Sequence, residues 1–226
     1  GSIQALVRNF ADPRVGTASC HLYIRDGATN AEADLGLYRR FDDWIRNSLS
    51  AIDSMFGAAG AFYAIRRSLA EPIPADVLLD DMYLPLTAFR KRYRCIVEPN
   101  AIAWDIPTPL DVERRRKLRT MAGNYQLWLR CPWLLTPANR MWLHFLSYKV
   151  GRLILPELLA IILISSFFLP ASLRNVALAA QAAFYALAAL DPLIPKAFPL
   201  KKLSSLARTF MAMMISAVPL LSLSRK

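Results

Sequence analysis

The chain has 226 residues, a formal net charge of +11 and 55% hydrophobic residues. Its pI is near 10.0 and its mean hydropathy is +0.27. So high a pI is typical of nucleic-acid-binding domains, but the positive hydropathy argues against a soluble protein of that class and indicates a membrane protein. Residues 84–152 hold 13 Lys/Arg and 4 Asp/Glu, and the chain beyond them is mostly apolar. A basic block before apolar segments indicates a cytoplasmic face held against anionic lipid, although a solvated basic surface has the same composition.

The pattern predicts alternating helices and strands over the first 130 residues. Apolar residues spaced by three and four indicate helices, and short runs of β-branched and aromatic residues between turn signals indicate strands. In chain order the predicted elements are helix 3–10, strand or hairpin 15–24, helix 32–55, strand 61–65, helix 82–92, strands 94–97 and 101–104, and helix 110–129. Glycine at 57–60 is expected to end the long helix as its C-cap. Mixed elements on this scale predict an α/β layered fold.

The last third of the chain carries three apolar runs, at 153–170, 176–195 and 210–223. A membrane-spanning helix needs about 20 apolar residues, so the first two runs qualify and the third is marginal. Buried core helices of a large soluble protein are the alternative. We therefore expect about three transmembrane helices in residues 153–226, and a multi-pass membrane protein.

The segment before these runs is predicted to lie at the membrane surface. Trp128, Trp133 and Trp142 resemble an interfacial aromatic belt, and 134–150 is expected to form an amphipathic helix lying flat on the membrane. Three lysines near 196–202 place the second connecting loop in the cytoplasm by the positive-inside rule. The α/β part is then expected to be cytoplasmic too.

Cysteine and histidine give little sign of a site. Cys20, Cys95 and Cys131 are too far apart for a zinc or redox motif and favour reduced thiols. His21 and His144 have no ligand-type residue at metal-site spacing, so we expect no metal site made by this chain alone.

Three short segments carry residue types suited to chemistry, and each has a plainer interpretation. Asp80-Asp81 could supply a general base for an attacking hydroxyl, or could open a helix as an N-cap pair. The small residues at 57–60 could let a ligand approach closely, or could simply stop a helix. The arginine-rich segment 114–119 could bind a diphosphate, or could be a solvated or lipid-facing basic helix.

The order and spacing of these segments match motifs of a known enzyme family. Residues 6–16 resemble the segment that follows the metal-binding Asp-x-Asp strand of family 2 glycosyltransferases, the cellulose-synthase-like and hyaluronan-synthase-like membrane enzymes. Residues 57–67 resemble the small-residue turn at the family's acceptor site, with its strand and Arg-Arg. Asp80-Asp81 matches the Glu/Asp-Asp motif, whose second aspartate is the catalytic base.

Two further segments extend the resemblance towards the membrane. Residues 116–120, with 123–126, stand where the family has its Gln/Arg-x-x-Arg-Trp motif, and 145–152 resemble the interfacial helix before the spans. Thr120 replaces the motif's tryptophan, which leaves a processive polymer synthase in doubt. The strand with the uridine-binding aspartate and the Asp-x-Asp metal ligands are absent, so we expect the nucleotide-binding front half to be missing and this fragment alone to be inactive.

The resemblance implies a fold, a reaction and a set of residues. It implies the C-terminal half of a glycosyltransferase-A domain at 1–130, an interfacial segment at 131–152 and a transmembrane region at 153–226. It implies inverting transfer from a nucleotide-sugar, expected to be a UDP-sugar, to a growing glycan or lipid-linked acceptor. Mg²⁺ or Mn²⁺ would assist, held by the missing half. Asp81 would be catalytic, and the implied substrate-binding residues are Asp80, Gly57, Ala58, Gly60, Arg116, Arg119 and Thr120.

Two alternatives to an active enzyme stay open. A membrane-anchored scaffold could bind anionic lipid or a partner through the basic block. An inactive synthase homologue could act as a subunit. The expected partners of the enzyme itself are donor, acceptor and membrane lipid, with no nucleic acid.

Overall fold

The computed structural model describes residues 1–24, 30–105, 110–195 and 198–217. The α-helices are α1 (Ser2–Arg8), α2 (Asn30–Ile52), α3 (Asp80–Arg90), α4 (Leu110–Arg130), α5 (Trp142–Phe145), α6 (Gly151–Ser166), α7 (Ala171–Leu190) and α8 (Lys201–Ala217). The strands are β1 (Val15–Ile24), β2 (Tyr63–Ile65) and β3 (Arg94–Asp105). The chain divides into a first unit, residues 1–28 with 39–148, and a second unit, residues 29–38 with 149–226.

The three strands form one mixed sheet in the order β2-β1-β3. β1 is antiparallel to β2 and parallel to β3. The two strand pieces predicted around Pro99 are one strand, β3, whose register against β1 shifts so that Cys20 pairs with Glu98 and His21 with Ile102. Proline has no N–H to donate to the ladder, which accounts for the irregularity at this point. The predicted α/β architecture of this part is confirmed.

Helix α1 packs on one face of the sheet through small side chains. Ala18 and Cys20 of β1 are buried with Leu6 of α1 and Ala101 of β3. Side chains this small let the helix backbone approach the sheet closely, and dense packing of this kind stabilises the layer.

A second core is aromatic. Phe56, Phe89 and Phe145 are each at most 2% exposed, and the ring of Phe56 lies 6.1 Å from that of Phe89 and 5.0 Å from that of Phe145. The guanidinium of Arg140 lies 3.9 Å above the Phe89 ring. This core joins α3 and α5 to the segment that follows α2.

The predicted glycine stop of α2 is wrong. The helix ends at Ile52, five residues before Gly57. Just after Ile52 the chain forms hydrogen bonds with β3 in place of further helical bonds. Met55 N donates to Cys95 O (2.9 Å), and Ser54 Oγ accepts from Cys95 N (2.9 Å). β3 therefore ends the helix, although the apolar spacing continues to Phe56.

The expected continuous amphipathic helix at 134–150 is also wrong. A 3₁₀ turn at Pro132–Leu135 is followed by non-helical residues 136–141, and the backbone is helical from Trp142, through the short α5 and a π-helical turn at Leu146–Val150. Asn139 is fully buried, and its side chain bonds Leu134 O (3.0 Å) and the N–H of Met141 (2.9 Å). An asparagine side chain that satisfies backbone groups competes with helix formation.

The second unit contains helices α6, α7 and α8. Among the described residues, only Ala171–Leu193 is long and apolar enough to cross a membrane. The first expected span is a helix of 16 residues. The third, at 210–223, falls on the last part of α8, a helix that begins with two lysines, and its residues 218–223 lie outside the described residues. The expectation of three transmembrane helices is therefore not confirmed, and a multi-pass topology is not supported.

The second unit exposes many large apolar side chains and buries a charged one. Its exposed large apolar residues include Ile161, Ile162, Ile164, Phe167, Phe168, Leu173 and Val176. Asp191, by contrast, is fully buried, and its carboxylate accepts hydrogen bonds from Lys201 Nζ (3.0 Å), Ser204 Oγ (2.6 Å) and Arg208 (3.3 Å). A buried charge needs such partners, and these join the end of α7 to α8.

Candidate functional site

The two adjacent aspartates open helix α3. Asp80 is its first residue and Asp81 its second, and the N-cap is Leu79, which makes no side-chain capping bond. Neither aspartate is therefore the N-cap. Both lie in the first turn, where the helix dipole stabilises a carboxylate. Asp80 is exposed and Asp81 is half-buried, so the two carboxylates face different surroundings.

The glycine-rich turn meets Asp81 directly. Ala58 N donates to Asp81 O at 2.8 Å, and a Cβ on Gly60 would lie 2.8 Å from Asp81 Oδ2. Gly57 has a φ of +123°, and a Cβ there would meet Met82 Cγ at 2.7 Å. Gly57 thus permits a backbone conformation with positive φ, and Gly60 leaves room for the Asp81 carboxylate.

A buried serine holds the same turn on the sheet. Ser19 Oγ of β1 accepts a hydrogen bond from Ala59 N (2.8 Å), and Ser19 is fully buried. Ser19 pairs with Tyr63 of β2 in the sheet register. Sequence reasoning missed Ser19 because no local motif marks it, and only the strand register reveals its contact with a turn 40 positions away.

Tyr63 was also missed, and it lies in the electrostatic field of both carboxylates. Burial raises the pKa of Tyr63, and the charges of Asp80 and Asp81 raise it further. Its hydroxyl therefore stays protonated at neutral pH and keeps its ability to donate a hydrogen bond.

Cys95 lies beneath the turn. Its Sγ is 4.0 Å from Gly57 O, and the residue is 1% exposed. Burial raises the pKa of the Cys95 thiol to about 12. Such a thiol is inert, because the thiolate is the reactive form.

The remaining predicted site residues lie on α4. Arg116, Arg119 and Thr120 are exposed, and the Thr120 hydroxyl donates to Arg116 O at 2.9 Å. The contacts described between α4 and the loop before Asp81 come from further along the helix, at Gly123, Gln126 and Arg130. The structure thus brings together Asp80, Asp81, Gly57, Ala58 and Gly60. Arg116, Arg119 and Thr120 are linked to this group through α4, whose later residues contact the loop before Asp81.

The described part of the chain does not fit a metal ion. It holds no cluster of three or more His, Cys, Asp or Glu side chains placed to ligate one. The chemistry available from these residues is that of a carboxylate. The partly exposed Asp81 carboxylate, which lies against Gly60, is of a type suited to accept a proton from a bound hydroxyl.

Comparison with known proteins identifies the family and the fold. A family model described as glycosyl transferase family group 2 matches residues 1–219. Among solved structures, the chain is similar to a mannosyltransferase from Pyrobaculum calidifontis in complex with GDP-Man and Mn²⁺, at a TM-score of 0.58 and 19% identity. At that identity the likeness shows the fold, a mixed α/β fold of the glycosyltransferase-A type. The match covers 96% of this chain and 57% of the mannosyltransferase chain. No curated protein matches.

Proposed function

Because the chain belongs to glycosyl transferase family group 2, we propose that it carries the acceptor side of a sugar-transfer site with Asp81 as the general base. The Asp81 carboxylate takes the proton of an acceptor hydroxyl. The hydroxyl oxygen forms the new bond to the anomeric carbon, from the face opposite the nucleoside diphosphate. The bond between that carbon and the diphosphate oxygen breaks, so the product has inverted configuration.

One observation carries this proposal above the others. Asp81 Oδ2 lies 2.8 Å from the point that a Gly60 Cβ would occupy. The base motif and the acceptor-turn motif, separated by 20 positions in sequence, are therefore in contact. The plainer interpretations differ from the structure in detail: the aspartates open α3 as its first two residues and not as its N-cap, and α2 ends at Ile52, before the small-residue turn.

The other predicted residues support binding in this proposal. Gly57, Ala58 and Gly60 form the floor under the acceptor, and Arg116 and Arg119 bind the diphosphate or the acceptor through their guanidinium groups. Thr120 occupies the tryptophan position of the resembled motif. A UDP-sugar remains the donor we propose, while the similar mannosyltransferase contains GDP-Man. Since the described residues do not fit Mg²⁺ or Mn²⁺, we derive no step through a metal ion.

We also propose that α7 anchors the protein in a membrane. Ala171–Leu193 spans 23 residues, and only 11% of its most apolar window is buried. Exposed apolar side chains at this density are unfavourable in water and favourable in lipid. The check is extraction of the membrane fraction at alkaline pH, which releases peripheral proteins and leaves spanning ones in the pellet.

The decisive experiment compares two neighbouring substitutions in the full-length protein, by which we mean a complete enzyme that contains a nucleotide-binding half. Asp81→Asn removes the base while keeping the side-chain shape, and Asp80→Asn changes the exposed neighbour. We expect Asp81→Asn to lower sugar transfer by about 10²–10⁴-fold, with thermal unfolding unchanged, and Asp80→Asn to have a much smaller effect. The assay supplies UDP-sugars and GDP-sugars in parallel, with glycan and lipid-linked acceptors.

Retained turnover in Asp81→Asn would falsify the base assignment. If the wild-type protein transfers no sugar from any donor and binds anionic vesicles in a strongly salt-dependent way, the scaffold hypothesis replaces the enzyme.

A further inference from the structure

A glutamine outside the proposed site is bonded twice to the loop that leads into Asp81. Leu78 N donates to Gln126 Oε1 at 3.0 Å, and Gln126 Nε2 donates to Asp76 O at 2.7 Å. Arg130, one turn further along α4, forms an ion pair with the Asp76 carboxylate. Three of the loop's polar groups are thus held by a single helix.

Close packing adds to these bonds. A Cβ on Gly123 would overlap Leu79 Cγ and would lie 2.8 Å from Leu79 Cδ1 and 3.2 Å from Leu78 Cβ. Leu79 is 5% exposed and immediately precedes the two aspartates. Helix α4 therefore contacts the residue from which α3 begins, one turn away from Gln126.

The start of α3 needs this external support. Its N-cap makes no side-chain bond, so the helix lacks the usual local device that fixes its first turn. Its described supports include the Ala58 N–Asp81 O bond on one side and, on the other, the contacts of α4 with the loop, among which are the two Gln126 bonds. A rotation of the loop would turn the Asp81 carboxylate relative to the Gly60 floor.

A side-chain amide suits this position because the loop presents one donor and one acceptor. Gln126 accepts from the Leu78 N–H and donates to the Asp76 carbonyl. An ionised glutamate can only accept, and methionine, which has a similar length, cannot donate and is only a weak acceptor.

We propose that Gln126 is a positioning residue for the transfer reaction: by bonding Asp76 O and Leu78 N, it holds the loop that aims the Asp81 carboxylate. Gln126 touches no reacting atom in this account. The inference rests on the proposed function, since the catalytic role of Asp81 is part of it.

The test uses the full-length protein with three variants. Gln126→Met removes both bonds, Gln126→Glu keeps the bond from Leu78 N, and Gln4→Met makes the same side-chain change at an exposed site on α1. We expect kcat to fall on the order of 10- to 100-fold in Gln126→Met, the range that follows from misplacing a catalytic group. The KM of the acceptor should change little. Gln126→Glu should keep part of the lost rate, and Gln4→Met should match wild type.

Hydrogen exchange of the peptide that spans residues 76–82 gives a second readout that does not need activity. Loss of two hydrogen bonds should speed exchange there by about tenfold, while peptides of α1 and β1 keep their rates. Unchanged kcat in Gln126→Met overturns the proposal, and so does a fall in kcat that comes with faster exchange throughout the protein. If wild type has no transferase activity, the proposed function fails and the catalytic role of Gln126 fails with it. The exchange data still report separately whether Gln126 holds the loop.

Discussion

The two units of the chain place the same residue types in opposite surroundings. In the first unit, Phe56, Phe89 and Phe145 are buried. In the second, Phe168 is 83% exposed while Asp191 and Ser204 are fully buried. A water-soluble fold buries large apolar groups and exposes charges. The second unit departs from this rule, as the proposed membrane anchor would require, and its buried polar groups satisfy one another.

Each unit nevertheless contains a carboxylate held by basic side chains. Asp53 of the first unit is bound by Arg140 and lies 3.8 Å from Arg94 Nε. Asp191 of the second unit is bound by Lys201 and Arg208. The side chain of Asp53 is 24% exposed and that of Asp191 is fully buried, while the basic partners of both are partly exposed.

The largest effect on the first unit is expected from Arg140→Met. Arg140 binds the Asp53 carboxylate, donates to Phe89 O (3.0 Å) and to Tyr93 O (2.8 Å), and stacks on the Phe89 ring. Its loss leaves Asp53 with weaker pairing and removes the bonds to both carbonyls, of which Phe89 O still accepts from Arg92 N (3.0 Å); this should cost about 2–4 kcal/mol of unfolding free energy. Urea unfolding of the variant and the wild type measures this change in unfolding free energy. Arg14→Met, which breaks an exposed ion pair with Asp12, is the control and should leave stability unchanged. Equal losses of unfolding free energy in the two variants would contradict the prediction that the contacts of Arg140 stabilise the first unit.

The next prediction asks directly whether the second unit lies in lipid. Ala183 of α7 and Ala51 of α2 are both exposed helical alanines. Ala183→Lys should weaken membrane insertion by about 2.5–3.5 kcal/mol if α7 spans a bilayer, whereas Ala51→Lys should change stability by less than about 0.5 kcal/mol. The share of protein that stays in alkali-washed membranes gives the answer. Unimpaired insertion of Ala183→Lys would show that α7 does not cross the bilayer, and the proposed anchor would fail.

The smallest effect concerns pH and the first unit alone. Glu98 is 5% exposed. Burial would raise the pKa of Glu98, but hydrogen bonds from Asn9 and Asn100 and the charge of Arg8 together outweigh burial and lower it. The resulting stability is present above the unfolded glutamate pKa of about 4.3 and is lost as pH falls through the lowered native value. Glu98→Gln should therefore destabilise the protein at pH 7, and the difference from wild type should shrink on acidification.

Unfolding curves between pH 7 and pH 3 test this, with Glu71→Gln as a matched control. Glu71 pairs with Lys91 at a more exposed site, where a surface ion pair contributes little. A Glu98→Gln difference that stays constant with pH would show that the charge of Glu98 is not what stabilises this region.

Local periodicity predicted much of the fold. Helix α4 was expected at 110–129 and runs Leu110–Arg130, because its helical pattern is long and uninterrupted. The strand expected at 61–65 lies at Tyr63–Ile65, and the paired aspartates do open a helix. The resemblance to family 2 glycosyltransferases is confirmed by the family match. The roles of the individual site residues stay predictions.

Contacts between distant positions explain what the pattern missed. The end of α2 is set by Met55 bonding β3, and the break at 134–150 by the buried Asn139. Ser19 and Gln126 reach backbone groups 40 and 48 positions away. No local signal encodes such pairs, since they depend on how the elements pack. The three-span expectation is not confirmed for a related reason: composition alone does not show where within an apolar run a helix begins and ends.

The burial of Cys95 has a practical consequence for measurement. Burial raises the pKa of all three thiols, Cys20, Cys95 and Cys131, so native thiolates are scarce at neutral pH. A cysteine added at an exposed position such as Ala51 would then be the preferred target of a maleimide dye. Two such dyes, one in each unit, would report the distance between them by fluorescence energy transfer, without prior removal of the natural cysteines.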